Sequence, residues 1–239
     1  MLPGHQRLLY SKGFHQSLNR IGIFLCWNER ILWFSSGLSQ DNPNENFAQY
    51  VSLNLPEADL ILLSLDGDKE KHNQIRGDTY DQIMKNIEEA PTNNICLYTA
   101  INQINKGTIQ DVCKTAMNMQ NIRAVSFNFH TPYPDTKDLA LSREEKKMCC
   151  DIIEEMMDAG APVFNLRSAF PNLINNNFPT PCHQCVVMEN GKISVCGRCI
   201  DVPGLCEQCG YFFVAEYTLI FKGRPRVILD MLRTYLKYI

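Results

Sequence analysis

Leu60-Ile61-Leu62-Leu63-Ser64-Leu65-Asp66-Gly67 is a near-continuous apolar run that stops on an acid and a glycine. Such a run without polar alternation reads as a buried strand, of the kind found in parallel sheets covered by helices. Downstream, Tyr80, Ile83, Met84 and Ile87 recur at i, i+3, i+4 and i+7. That spacing predicts an amphipathic helix, with Asp78 or Thr79 suited to its N-cap. The unit then repeats as a strand from Ile95 to Ile101, a helical stripe of Ile109, Val112, Cys113 and Ala116, and a strand from Ile122 to Phe129. A further helix opens on the capping box Ser142-Arg143-Glu144-Glu145 and buries Cys149, Ile152, Ile153 and Met156. Gly160 and Pro162 stop it, and Pro162 to Leu166 is expected to supply one more strand. Strand and helix in alternation specify an α/β fold whose strands run parallel and are joined by crossover helices.

Outward from this centre the texture changes. Upstream, Ile21 to Leu25 and Ile31 to Phe34 read as short strands, and Asp41-Asn42-Pro43-Asn44-Glu45-Asn46 as a polar loop. From Phe178-Pro179-Thr180-Pro181 the chain becomes rich in Cys and Gly, with too little apolar content for a core of its own. Val227, Ile228, Met231, Leu232, Tyr235 and Ile239 predict a last amphipathic helix that packs back on the α/β body. Three parts follow: residues 1–177, a Cys-rich segment 178–212, and a C-terminal helical segment 213–239.

The chain has 239 residues, of which 45% are hydrophobic, enough for a substantial core. A net charge of -3 argues against a nucleic-acid or anionic-membrane footprint, leaving a small molecule or a peptide as the expected substrate. No apolar run approaches the roughly 18 residues of a spanning helix. The opening Met1-Leu2-Pro3-Gly4-His5 has no export or transit character, so a cytoplasmic location is expected. Its eleven cysteines should then be reduced and available as ligands.

Six of them fall in three C-x2-C pairs: Cys182 and Cys185, Cys196 and Cys199, Cys206 and Cys209. Two intervening residues let both sulfurs turn toward one metal, and Gly191, Gly197, Gly204 and Gly210 permit the tight turns such sites use. Redox disulfides or buried structural thiols are the competing readings, but a thioredoxin-type motif stands as one pair beside a βαβ unit. Four thiolates suit zinc and iron–sulfur clusters alike, and six exceed one tetrahedral site. Cys26, Cys96, Cys113, Cys149 and Cys150 lie on predicted strands or helix faces without ligand spacing and read as core.

The stretch Ser64-Leu65-Asp66-Gly67, continuing through His72-Asn73-Gln74-Ile75-Arg76-Gly77, resembles the fourth-strand signature of the radical S-adenosylmethionine (radical SAM) superfamily, S-x-D-G followed by an H-x-x-I-R-G turn. Ala100 to Asn105 is similar to the family's fifth strand, Ser126 to Pro134 to its sixth, and Leu25-Cys26-Trp27-Asn28-Glu29 stands where a Thr-Asn-Gly turn is usual. The C-terminal cysteines resemble auxiliary-cluster extensions of SPASM or related type; Gly191-x4-Cys196 agrees with that pattern, whereas the short spacing from Cys182 to Gly191 departs from it. The resemblance covers about residues 22–239. It implies a partial (β/α) barrel with parallel strands, followed by a small metal-binding extension and a C-terminal helix. It further implies an iron–sulfur cluster, of [4Fe-4S] type, on Cys182, Cys185, Cys196, Cys199, Cys206 and Cys209, with zinc as the alternative.

By the same resemblance, and by the rule that barrel sites lie at the C-terminal ends of strands, Ser64, Asp66, Arg76, Asn102 and His130 are candidates to face S-adenosylmethionine and substrate. Arg76 could fork onto the cofactor carboxylate, or could instead pair with Asp66 or Asp78 to shape a turn. His72 and His183 read as hydrogen-bonded structural residues rather than ligands. Tyr211-Phe212-Phe213 would shield a cluster or dock the extension, and Lys222-Gly223-Arg224-Pro225-Arg226 reads as a solvated helix entry.

The family's C-x3-C-x2-C loop, which holds the SAM-cleaving cluster, has no counterpart in the sequence, and neither has its Gly-Gly-Glu segment. The chain as it stands therefore has no electron source for cleaving SAM. It is expected to be an N-terminally truncated member, either a fragment, a decayed paralogue or the later part of a split protein whose missing portion is a separate chain. The other expectation is a zinc-stabilised, non-catalytic binding or scaffold module. No nucleophile–base pair, P-loop or dinucleotide fingerprint supports a self-contained hydrolase or transferase.

Overall fold

The computed structural model describes residues 60–180 and 202–237 in full, together with the backbone of four further strands: β1 (Ile21–Cys26), β2 (Glu29–Phe34), β6 (Val186–Glu189) and β7 (Lys192–Val195). Between them lie β3 (Leu60–Ser64), β4 (Ile95–Ile101) and β5 (Ile122–Phe129). All seven join one sheet in the order β5-β4-β3-β2-β1-β6-β7. From β2 to β5 neighbouring strands are parallel, and each is laid beside its predecessor in the chain.

The crossovers are helical. Helices α1 (Lys69–Arg76) and α2 (Tyr80–Glu89) link β3 to β4, α3 (Ile109–Asn118) links β4 to β5, and α4 (Arg143–Asp158) and the short α5 (Phe170–Ile174) follow β5. Connections of one hand, running in one direction, put such helices on one face of a sheet. The core follows: Ile61, Leu63, Ile95, Leu97, Ile101, Phe127 and Phe129 pack with Ile83, Ile87, Val112, Cys113, Cys149 and Ile153. The opposite face carries, in register, Leu62, Cys96 and Ala124, then Ser64, Tyr98 and Ser126, then Ala100 and Asn128. The mixed α/β architecture with a parallel sheet is thus as expected, but what the described residues form is an open sheet.

The two upstream strands are present as expected, and they pair as an antiparallel hairpin with Ile21 opposite Phe34 and Cys26 opposite Glu29. Several local expectations need correction. The stretch read as an H-x-x-I-R-G turn winds into α1 because Asp68 Oδ1 caps it by accepting from Lys71 N at 2.8 Å and Gly77, at φ 80°, ends it. Residues 162–166 give only one β-bridge, Val125 to Val163. Pro162 has no N–H to continue a ladder, and the Asn165 side chain takes over: its Oδ1 accepts from Phe127 N at 2.7 Å and its Nδ2 donates to Phe127 O at 3.3 Å.

The Cys-rich segment is not wholly irregular, since β6 and β7 form a hairpin whose first strand pairs antiparallel with β1. The C-terminal segment holds two helices rather than one. Its sequence Phe212-Phe213-Val214-Ala215-Glu216-Tyr217-Thr218-Leu219-Ile220-Phe221 is rich in β-formers, yet it is the helix α6 (Phe212–Phe221), because tertiary packing overrides local propensity. Phe212 sits edge-on to Phe129 and Phe170, with ring centroids 4.7 and 5.8 Å away. After Gly223, at φ 69°, α7 (Pro225–Tyr235) turns back, and Tyr235 stacks on Phe164 at 4.5 Å. No helix among the described residues is long and apolar enough to cross a membrane.

Candidate functional site

Polar side chains collect where β3, β4 and β5 end. Asp66 is fully buried and is tied in through several of its own atoms: Oδ2 accepts from Arg76 Nε at 2.5 Å, Oδ1 accepts from Ala100 N at 3.0 Å, and its amide donates to His72 Nδ1 at 3.1 Å. Arg76 is likewise buried. Of the two roles open to Arg76, its position at the end of α1 places it on Asp66. Gly67 next to the acid has φ 114°, and a Cβ there would stand 2.5 Å from Thr108 Oγ1, so both conformation and space require glycine.

Asn102 enters the same network from the end of β4. Its amide donates to Asn105 Oδ1 at 2.8 Å, its Oδ1 accepts from Ile104 N at 2.8 Å, and Asn105 Nδ2 reaches Asp66 O at 3.3 Å. These contacts fold the 102–105 segment into a tight polar turn across the mouth of β3. His72 is structural: Nε2 meets Thr79 Oγ1 at 3.0 Å, and burial, followed by the nearby Arg76 charge, lowers its pKa to about 4. It is therefore a neutral acceptor for the Asp66 amide at ordinary pH.

His130 ends β5. Its amide donates to Ile101 O at 2.8 Å, tying β5 to β4, and its Nε2 lies 3.1 Å from Thr136 O and 3.0 Å from Thr136 Oγ1. Burial lowers its pKa, with the Thr136 carbonyl opposing. Ser64 Oγ and Asn128 Nδ2 lie on the face of the sheet opposite the helices, buried and with no hydrogen-bond partner among the described residues. Asp66, Arg76 and Asn102 are thus brought into one network, His130 stands just past the end of the β5 strand, and Ser64 is the last residue of β3.

The last cysteine pair is fixed against this end of the sheet. Cys206 to Gln208 is a single 3-10 turn, closed by Cys209 N donating to Cys206 O at 3.2 Å. The next residues lock onto β5: Phe129 N donates to Gly210 O at 2.9 Å, Gly210 N to Thr131 Oγ1 at 3.0 Å, and Phe212 N to Asn128 Oδ1 at 2.8 Å. A Cβ on Gly210 would lie 2.0 Å from Phe129 O, so only glycine permits this approach. Leu205 packs beside Tyr133 on the other flank. Cys182, Cys185, Cys196, Cys199 and His183 lie outside the described residues.

The thiols divide into two kinds. Cys96, Cys113, Cys149 and Cys150 are buried, and burial pushes their pKa values up, to about 12 for Cys113 and about 11 for Cys149. Such thiols stay protonated and make poor ligands. Cys206 and Cys209 are partly exposed and turn back on one short loop, the arrangement in which two sulfurs address one metal.

Residues with no sequence motif also contribute. Glu216 is buried in α6, where Oε1 accepts from Leu166 N at 2.9 Å and from Asn165 Nδ2 at 3.2 Å; burial raises its pKa to about 7. The one charged residue in an otherwise uncharged ten-residue run was the available signal. Lys146 and Asn176 belong to this class too: Lys146 Nζ donates to Asn176 Oδ1 at 2.7 Å, and Asn176 Nδ2 donates to Glu207 O at 3.1 Å. Comparisons with known protein families, with curated protein sequences and with solved structures return no match.

Proposed function

We propose that the chain is an iron–sulfur protein of radical SAM descent, a partial (β/α) barrel whose C-terminal cysteines Cys182, Cys185, Cys196, Cys199, Cys206 and Cys209 hold a cluster of [4Fe-4S] type. The observation that carries this reading is the Cys206–Cys209 turn. It is hydrogen-bonded to the end of β5 on its C-terminal side, and its two cysteines are only partly buried. The donor set fits: soft sulfur ligands at C-x2-C spacing are what iron–sulfur sites use, whereas the chain's buried thiols are held protonated. A cluster bound there supplies one-electron transfer. The chain's own part is to position the sulfurs and, through Tyr133 and Leu205, to keep apolar surface beside Cys206.

The strand-end residues Ser64, Asp66, Arg76, Asn102 and His130 are the proposed surroundings of S-adenosylmethionine and of a small-molecule or peptide substrate. Two buried polar atoms without described partners, Ser64 Oγ and Asn128 Nδ2, favour a polar ligand on that face, since such atoms are costly to leave unmatched. The SAM-cleaving C-x3-C-x2-C motif does not occur in the sequence given, and a separate chain carrying it is the proposed partner. The location is proposed to be cytoplasmic, where thiols stay reduced.

A second reading, a zinc-stabilised binding or scaffold module, is favoured by the β6–β7 hairpin. Its outermost pair, Val186 opposite Val195, is followed in sequence on either side by Cys185 and Cys196. A two-stranded hairpin between two C-x2-C pairs is the layout of a zinc ribbon. Anaerobic reconstitution with iron and sulfide distinguishes the two. A brown protein with equimolar iron and acid-labile sulfide and measurable SAM binding by calorimetry supports the first. A colourless protein holding stoichiometric zinc and not binding SAM overturns it in favour of the second.

A further inference from the structure

The carbonyl at the tip of the cysteine turn is held from outside the Cys-rich segment. Asn176, just beyond the short helix α5 (Phe170–Ile174), has φ 48°, and among the described residues it is the one non-glycine in the left-handed region. Asparagine is the side chain that tolerates this conformation best, and here the conformation lets one amide face two ways. Its Nδ2 donates to Glu207 O, inside the turn between Cys206 and Cys209, and its Oδ1 accepts from Lys146 Nζ. Lys146 itself reaches over from α4, half-buried, with its ammonium 5.6 Å from the centre of the Phe129 ring. Phe129 in turn bonds Gly210, the residue after Cys209. Burial lowers the Lys146 pKa, and the neighbouring Cys150 and Cys209 act in the opposite sense. A half-buried lysine bonded to Asn176 and lying over the Phe129 ring is more than a solvated surface cation.

We propose that Lys146 and Asn176 are positioning residues of the metal–thiolate site: Asn176 clamps the Cys206–Cys209 turn through the Glu207 carbonyl, and Lys146 supplies the positive charge that balances the bound sulfurs. The inference rests on the metal reading above and deepens it. A fixed cation near a cluster favours the reduced, more negative form and so raises the reduction potential; near any thiolate–metal complex it favours the deprotonated, metal-bound sulfurs. The clamp acts differently, by limiting how far the turn can open to release the metal.

The test uses the full chain reconstituted anaerobically, with K146Q, K146R and N176G beside the wild type. Iron and sulfide in the wild type test the underlying reading. The inference is tested by the midpoint potential and by the rate at which a chelator strips the metal. K146Q is expected to keep its iron but to shift the reduction equilibrium on the order of tenfold toward the oxidised form, about 59 mV for one electron; K146R stays at the wild-type potential. N176G, which keeps the left-handed backbone and the lysine, is expected to lose metal severalfold faster at unchanged potential. Wild-type potential in K146Q, or wild-type release in N176G, overturns the corresponding half while leaving the iron content intact. Zinc in place of iron overturns the cluster reading alone, and cobalt(II) substitution then reads the inference: K146Q must bind cobalt more weakly than the wild type and K146R equally, or the inference falls. A wild type that binds neither overturns both.

Discussion

Arg76 Nε donates to Asp66 Oδ2 at 2.5 Å with both side chains out of water, so the acid just past β3 and the base that ends α1 close the loop between them. Removing one partner of a buried pair leaves a charge with nothing to balance it, which costs more than the pair contributes. R76M is expected to destabilise the fold by about 3 kcal/mol, and D66N/R76M by clearly less than the two single changes added together. Urea midpoints of the four proteins check this; strict additivity would mean that the two groups do not depend on each other.

Glu216 predicts an unusual pH dependence. Its pKa rises from 4.5 in an unfolded chain to about 7 in the folded one, so between those values the folded state binds more protons. Stability from this group is greatest below about 4.5, falls as pH rises through that window, and is level above 7. E216Q keeps an oxygen for Leu166 N and carries no charge. It is expected to be more stable than the wild type at pH 8 by about 3 kcal/mol, an upper figure, and equal to it near pH 4.5. Equal urea midpoints at pH 8 would contradict this.

Gly210 and Gly107 form a matched pair for mutagenesis. A methyl on Gly210 meets the Phe129 carbonyl, whereas one on Gly107 meets nothing within 4 Å. G210A is expected to cost about 1–3 kcal/mol and to speed metal loss, because the cysteine turn can no longer seat on β5; G107A is expected to be near neutral. Thermal midpoints, with metal content measured after gel filtration, decide the matter.

Alkylation separates ligand thiols from core thiols. After chelation, iodoacetamide at pH 8 is expected to label Cys206 and Cys209 well before Cys96, Cys113, Cys149 and Cys150, whose burial keeps them protonated and out of reach. Metal bound beforehand is expected to protect the first two. Mass spectrometry of peptides taken at intervals reads the order directly.

The parallel strands and their helices were legible because hydrophobic period reports which face is covered: β4 and β5 begin and end at the expected residues, and the Ser142 capping box forms in both directions. What escaped was set by partners far along the chain. Residues 162–166 carry the composition of a strand, yet the Asn165 side chain does the pairing. The C-terminal segment is helical as expected, but its division into α6 and α7 turns on the packing of Phe212 against Phe129 and Phe170 and on the break at Gly223. At the candidate site, composition leaves open whether Arg76 meets Asp66 or Asp78, and the pairing with Asp66 is visible only in three dimensions. Lys146 and Asn176 had no motif to announce them, since their meaning lies in a shared contact with the cysteine turn.

Where the hairpin lies has a further consequence. Strand β1 has β2 on one side and β6 on the other, and the hairpin that supplies β6 is bracketed by two of the paired-cysteine motifs. If metal holds that hairpin in place, its loss bares the main-chain donors and acceptors of an edge strand, an invitation to intermolecular pairing. Metal supply would then govern colloidal behaviour as well as chemistry, and chelated protein should cloud at concentrations where loaded protein stays clear.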